Sequence, residues 1–206
     1  KEERMFSFQH EMFDDIVWGL GAMAAERIVY GENSNGVGGD VAGVTARAAL
    51  MVGRAAMGPQ PFQVSLREGE TEEQARKRVL DRFERIGLQI MNRSGGGGPF
   101  DADPIAGVLG DPAKRTVAAQ ILGQAYVTAH NLALANRAAI EHVADVLEEK
   151  REIMGDELLH LLDSARIRIP EVDLSDESAW PPLEFSIAIE RGGQAPSRPN
   201  LPEIPA

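Results

Sequence analysis

Apolar residues recur at spacings of three and four along most of the chain, which predicts helices. In FQHEMFDDIVWGLGAMAAERIVYG, residues 8–31, the stripe is Met12, Phe13, Ile16, Val17, Leu20, Met23 and Ala24, and Gly31 is the expected stop. A Gly/Asn loop follows. Asp40 then opens DVAGVTARAALMVGRAAMGP, a helix of small residues ended by Gly58 and Pro59. A third helix is expected from Thr71, where Thr71 and Gln74 have capping-box spacing, with Val79, Leu80, Phe83, Ile86 and Ile90 on its buried face. From Asp111 to Ser164 the period is helical again. One long helix carries Val117, Ile121, Ala125, Thr128 and Leu132; NRAAIEHVADVLEEKR follows, and a short helix starts near Asp156.

Two short stretches break this pattern. PFQVSL at 61–66 and the alternating Leu183, Phe185, Ile187 and Ile189 within 183–189 read as strands. The expectation is a mainly α protein, a helical bundle with a small β element and an extended Pro-rich C-terminal tail. Residues 1–170 form the helical domain. Within it, 60–110 is a variable insertion carrying a Gly-rich loop at 94–99, and 171–206 is a C-terminal extension.

Composition narrows the chemistry. The chain has 206 residues, 43% hydrophobic and 26% charged, as in an ordinary globular protein. Its 32 acids against 21 bases give a net charge of −11, the wrong sign for neutralising phosphates, so no nucleic-acid partner is expected. It contains no cysteine, which removes disulfides, thiolate metal sites and cysteine nucleophiles. No apolar run approaches the roughly 20 residues that cross a bilayer, so no membrane contact by this segment is expected. The chain opens KEERMF without an initiator Met and reads as part of a longer protein.

Local motifs are sparse. The glycines of 94–99 lack a following Gly-Lys-Ser/Thr, and a Pro interrupts them, so they read as a linker. HEMFD, His10 to Asp14, imitates a metal-binding helix but reads as a solvated face. His130, His142 and His160 have no metal-ligand spacing, and no Gly-x-Ser-x-Gly elbow supports a serine nucleophile. Asp40, at a loop–helix join, suits a helix cap by itself.

Three ordered stretches resemble the peptidase domain of FtsH-type ATP-dependent zinc metalloproteases. In LGAMAAERIVYG, Gly21, Ala25, Glu26, Tyr30 and Gly31 match that family's helix end, whereas Ala22, Met23 and Arg27 depart from it. In NGVGGDVAGVTARAALMVGRAAMGP, Asp40, Thr45, Met51, Val52, Gly58 and Pro59 match, with Gly39 in place of an Asn. AYVTAHNLALANRAAIEHVADVLEEKREIMGDELLHLL resembles the closing helices. The resemblance implies that Asp40 is a zinc ligand and that Glu26 supports the metal site from behind, the other reading of Glu26 being a half-buried structural ion pair.

By the same resemblance two His and a general base come from an H-E-x-x-H helix, which this chain lacks. ATP would bind a separate upstream domain. The parent would be a ring-forming homo-oligomer acting on protein and peptide substrates, with this part a cytoplasmic domain of a membrane-anchored protein. The fragment alone would be inactive, with no catalytic residue of its own. The alternative is a non-catalytic helical module for assembly or partner binding on the same scaffold.

Overall fold

The computed structural model describes residues 6–91 and 104–181. Among them are eight α-helices: α1 Gln9–Gly19, α2 Gly21–Tyr30, α3 Gly38–Ala55, α4 Glu72–Ile90, α5 Pro104–Gly110, α6 Pro112–Ala135, α7 Arg137–Lys150 and α8 Asp156–Ala165. The bundle expectation holds.

The centre is α6. Its middle, AAQILGQAYV, is apolar or small on every side, and Ile121, Leu122, Ala125, Tyr126 and Val127 are fully buried. A helix that is apolar all round has to be wrapped by others. Here α1, α2, α3 and α4 wrap it, with α4 in the most extensive contact. Asp111 starts α6 by accepting hydrogen bonds from Ala113 N (2.9 Å) and Lys114 N (3.2 Å), with Pro112 in the first turn.

The α4–α6 crossing is unusually close. A Cβ on Gly87 would fall on the Ala119 carbonyl, and a Cβ on Gly123 would fall on the Phe83 carbonyl. The pairs 83/123 and 87/119 run in opposite senses, so the helices are antiparallel. Each meets the other's backbone at residues one helical turn apart.

The single helix expected over 8–31 is two. At Leu20 (φ −89°, ψ −3°) the chain ends α1 and begins α2. Gly19 lies against Val44 of α3, where a Cβ would be 2.6 Å from Cγ1. Gly19 and Gly21 flank the break and hold a helix weakly, so packing on α3 sets the bend. Helix α5, within the expected insertion, has no counterpart among the predicted elements. Its Val108 closes over Gly53 of α3.

The strand expected at 61–66 is not formed. Those residues run extended, but the described residues offer no partner strand. Side chains hold this stretch and the turn before it instead. Gln124, fully buried on α6, accepts from Gln60 N through Oε1 (2.8 Å) and donates Nε2 to Gln60 O (3.1 Å). Gln9 Nε2 donates to Gly58 O (2.9 Å), and Phe62 sits edge-on to Phe83 at 5.5 Å. The 183–189 strand, the 94–99 loop and the Pro-rich tail lie outside the described residues.

Replacing Gln124 with Leu keeps the size but leaves the Gln60 N–H and C=O without partners. The expected loss is about 2–3 kcal/mol, since a stranded polar group costs roughly 1–3 kcal/mol. Urea unfolding measures it. An unchanged midpoint means that water replaces Gln124 at no cost.

Helices α7 and α8 form a hairpin beside α2 and the end of α6. Asn136, at the α6–α7 join, accepts from Arg168 N (2.7 Å) and donates to Arg168 O (2.8 Å) and Leu132 O (2.8 Å). It thereby closes the loop after α8. Residues 171–181 then return to α4, where Trp180 is buried against Phe83.

Candidate functional site

Asp40 does not cap α3. The helix starts at Gly38, so Asp40 is its third residue, an acid in the first turn. A short 3-10 turn, Asn35–Val37, leads straight into the helix. Ser34 caps that turn by accepting from Gly36 N at 3.2 Å. The cap expected of Asp40 is displaced upstream because buried Val37 fixes where the chain begins to coil. Asp40 is exposed, and no bond to it occurs among the described residues. Its carboxylate still gains from the helix N-terminus.

Glu26, on α2, organises the loop behind Asp40. Its carboxylate accepts from Ser34 N (2.7 Å), Ser34 Oγ (2.8 Å) and Asn33 Nδ2 (3.4 Å). Asn33 Nδ2 also donates to Met23 O at 2.9 Å, and Arg27 Nε donates to Asn33 Oδ1. The Arg27 guanidinium lies over the Tyr126 ring of α6, 5.7 Å from its centroid. A continuous path therefore runs from the core helix to the turn that presents Asp40. Glu26 serves as an acceptor for the loop, and among the described residues its carboxylate meets Ser34 and Asn33.

The bond from Ser34 N, chiefly, holds the Glu26 carboxyl below the ordinary glutamate value of 4.5, outweighing partial burial. A folded-state pKa below the unfolded one adds stability above the unfolded value and loses it as pH falls through the folded value. At pH 7 the Ser34 amide should exchange slowly, and in Glu26→Ala about tenfold faster, the loss of a charge-assisted bond being worth about 1.5 kcal/mol. Lowering the pH of the unaltered chain below the depressed value should weaken the same protection. Equal protection in both proteins at pH 7 would remove Glu26 as the clamp.

The histidines stay apart. His10 stacks on Phe8 at 5.9 Å, while Glu11 accepts from Phe8 N at 2.8 Å as the cap of α1. The HEMFD imitation is thus a helix start. His130 is half-buried beside Tyr126, and burial first, then Arg27, pushes its pKa below the ordinary 6.5. His142 and His160 are exposed; His142 Nε2 lies 3.4 Å from Ser164 Oγ, which donates to Leu161 O. Among the described residues no three of His, Asp and Glu come together in a metal-holding group.

The Ser34, Asn33 and Arg27 parts of the clamp were missed at the level of sequence. Their signal was present in GENSNG: an Asn and a Ser after the helix stop, the residue types that bind nearby backbone and carboxylates in turns.

Known proteins resemble this chain along most of its length. Over 167 residues the chain is 31% identical to the chloroplastic ATP-dependent zinc metalloprotease FTSH 6 of Oryza sativa subsp. japonica, covering 79% of this chain and 21% of that protein. The chain is similar to FtsH-type zinc metalloproteases. It is 26% identical to ATP-dependent zinc metalloprotease FtsH of Bacillus subtilis over 86% of this chain and 24% of the relative. Against FtsH of Corynebacterium glutamicum it is 22% identical over 95% of this chain and 22% of the relative. The chain therefore spans between a fifth and a quarter of these FtsH proteins' length. No family profile matches the chain, and no solved structure matches it.

A zinc site needs several ligands, and the described residues hold no group of three His, Asp or Glu that could supply them. They do not hold a zinc ion by themselves. Among the described residues no helix is long and apolar enough to cross a membrane.

Proposed function

We propose that this chain is the C-terminal part of the peptidase domain of an ATP-dependent, ring-forming zinc protease, and that Asp40 is its ligand to the metal. The observation that carries this reading is the similarity to FtsH proteases over 79% of the chain. The clamp of Glu26, Asn33 and Ser34, which sets Asp40 facing solvent, supports it.

The chemistry follows from what is present. A carboxylate on the first turn of a helix anchored to the core keeps its direction, which a metal ligand needs. Zinc would polarise a bound water for attack on a peptide bond. This chain would hold the ligand still. Two His and the base would come from a polypeptide segment outside it, and ATP would bind a separate domain. The parent would act on protein and peptide substrates as a homo-oligomeric ring. In this reading Glu26 supports the site through the loop, without contact to the metal. Residues 1–170 are the peptidase-type domain and 171–206 its extension. The chain alone would be inactive, because one carboxylate cannot retain a catalytic zinc.

The test is metal content and casein cleavage of the parent polypeptide next to this chain by itself. One zinc per subunit and ATP-dependent cleavage, both absent from the isolated chain, support the proposal. A parent that binds no zinc ends it and leaves the assembly module.

A further inference from the structure

Residues 171–181 are held on α4 by side chains. Glu177 opens a one-turn 3-10 helix, Glu177–Ala179, which places Glu177 and Trp180 on one face, three residues apart. The Glu177 carboxylate receives Arg82 Nη1 at 2.9 Å and also Arg78 Nη1, with Arg67 Nη2 at 3.7 Å. Arg78 is held from its other side by Glu70 (Nε to Oε1, 2.8 Å). Trp180 stacks on Phe83, ring centroids 4.7 Å apart and planes 8° from parallel, with the Arg82 guanidinium 4.5 Å from its centroid. One more bond, Ser65 Oγ to Ser175 O at 3.1 Å, ties the segment to the extended stretch.

Three arginines converge on one carboxylate, and an aromatic floor takes one ring. The resident segment fills it incompletely. The buried Trp180 Nε1 and the buried Arg82 Nε both lack an acceptor among the described residues. A ligand that brought one more oxygen to Arg82 Nε would fit this surface better than the chain's own segment. No helix or sheet ladder ties 171–181 to α4, so the segment can leave without unfolding its support.

We propose that the surface formed by Arg78, Arg82 and Phe83 of α4, with Arg67 from the stretch before it, is a docking site for a short acidic turn with an aromatic residue three positions after a carboxylate, and that residues 171–181 are its resident, displaceable occupant. The partner presents Glu-x-x-Trp chemistry in a helical turn, a common form of peptide recognition. While the resident is docked, the site is closed to it. This proposal does not depend on the protease reading.

The probe is a labelled synthetic peptide of residues 171–181, titrated against the full chain carrying Glu177→Ala and Trp180→Ala. That variant should bind the peptide, and the unaltered chain should bind it at least about tenfold more weakly, because its site is occupied. Adding Arg82→Glu to the variant should abolish binding. A folded variant that ignores the peptide, or one that still binds it with Arg82→Glu, overturns the proposal. Hydrogen exchange on the unaltered chain covers the case in which the variant does not fold. Amides 175–180 should open while α4 and α6 stay protected, and exchange of 175–180 only together with α6 also overturns the proposal.

Discussion

Gly123→Ala is expected to destabilise the chain by about 3 kcal/mol or more, a large share of the roughly 5–15 kcal/mol that holds a domain folded. A methyl group at Gly123 lands on the Phe83 carbonyl of α4. Backbone cannot move aside as a side-chain end does, so α4 and α6 must separate. Separation also opens the Gly87–Ala119 contact one turn away, and loosens Phe83, which supports Phe62 and Trp180. Gly43 gives the contrast. It is helical and exposed, with nothing near an added Cβ, so Gly43→Ala should stabilise by about 0.5–1 kcal/mol. Urea midpoints of the two variants should move in opposite directions. If Gly123→Ala unfolds with the unaltered chain, the two helices are not in backbone contact.

Asp40→Ala in the parent protein should lower zinc affinity by at least about 100-fold, since loss of even an outer partner costs about 10–100-fold. Peptide cleavage should fall with it. The metal-free fold should be untouched: Asp40 is exposed and carries no cap or bond among the described residues, so only its small interaction with the helix dipole is lost. This separation makes the result readable. Zinc loss, with an unfolding midpoint unchanged when both proteins are compared metal-free, identifies a ligand. Asp40→Asn keeps the shape and removes the charge, and should fall between Ala and Asp in affinity. Full zinc retention in Asp40→Ala would return this residue to the helix surface.

Some of this was legible because its causes are local. Thr71 and Gln74 do form the predicted capping box, Gln74 N donating to Thr71 Oγ1 at 3.3 Å and Thr71 N to Gln74 Oε1 at 2.9 Å. Both partners lie within one turn, so spacing suffices. The start of α6 at Asp111-Pro112 was legible for the same reason. Asp40 was legible as an acid at a helix start, but its place inside the first turn, past the cap, was not. The cap passed to Ser34 because Val37 packs into the core, and packing is not written in the cap residue. The bend at Leu20 was missed likewise: the apolar stripe continues through it, and only the approach of α3 to Gly19 decides it.

Periodicity, capping residues and the absence of cysteine determined by themselves a helical bundle without thiol chemistry, and the ordered motifs pointed to the right relatives. These are properties of windows a few turns long, where one backbone conformation satisfies most local preferences. The tertiary structure decided what joins distant windows: Gln124 with Gln60, Arg82 with Glu177, and Gly123 with Phe83. Each of these depends on which helix faces meet and at what distance. A buried amide, an ion pair and a missing Cβ acquire meaning only when the partner across the gap is known.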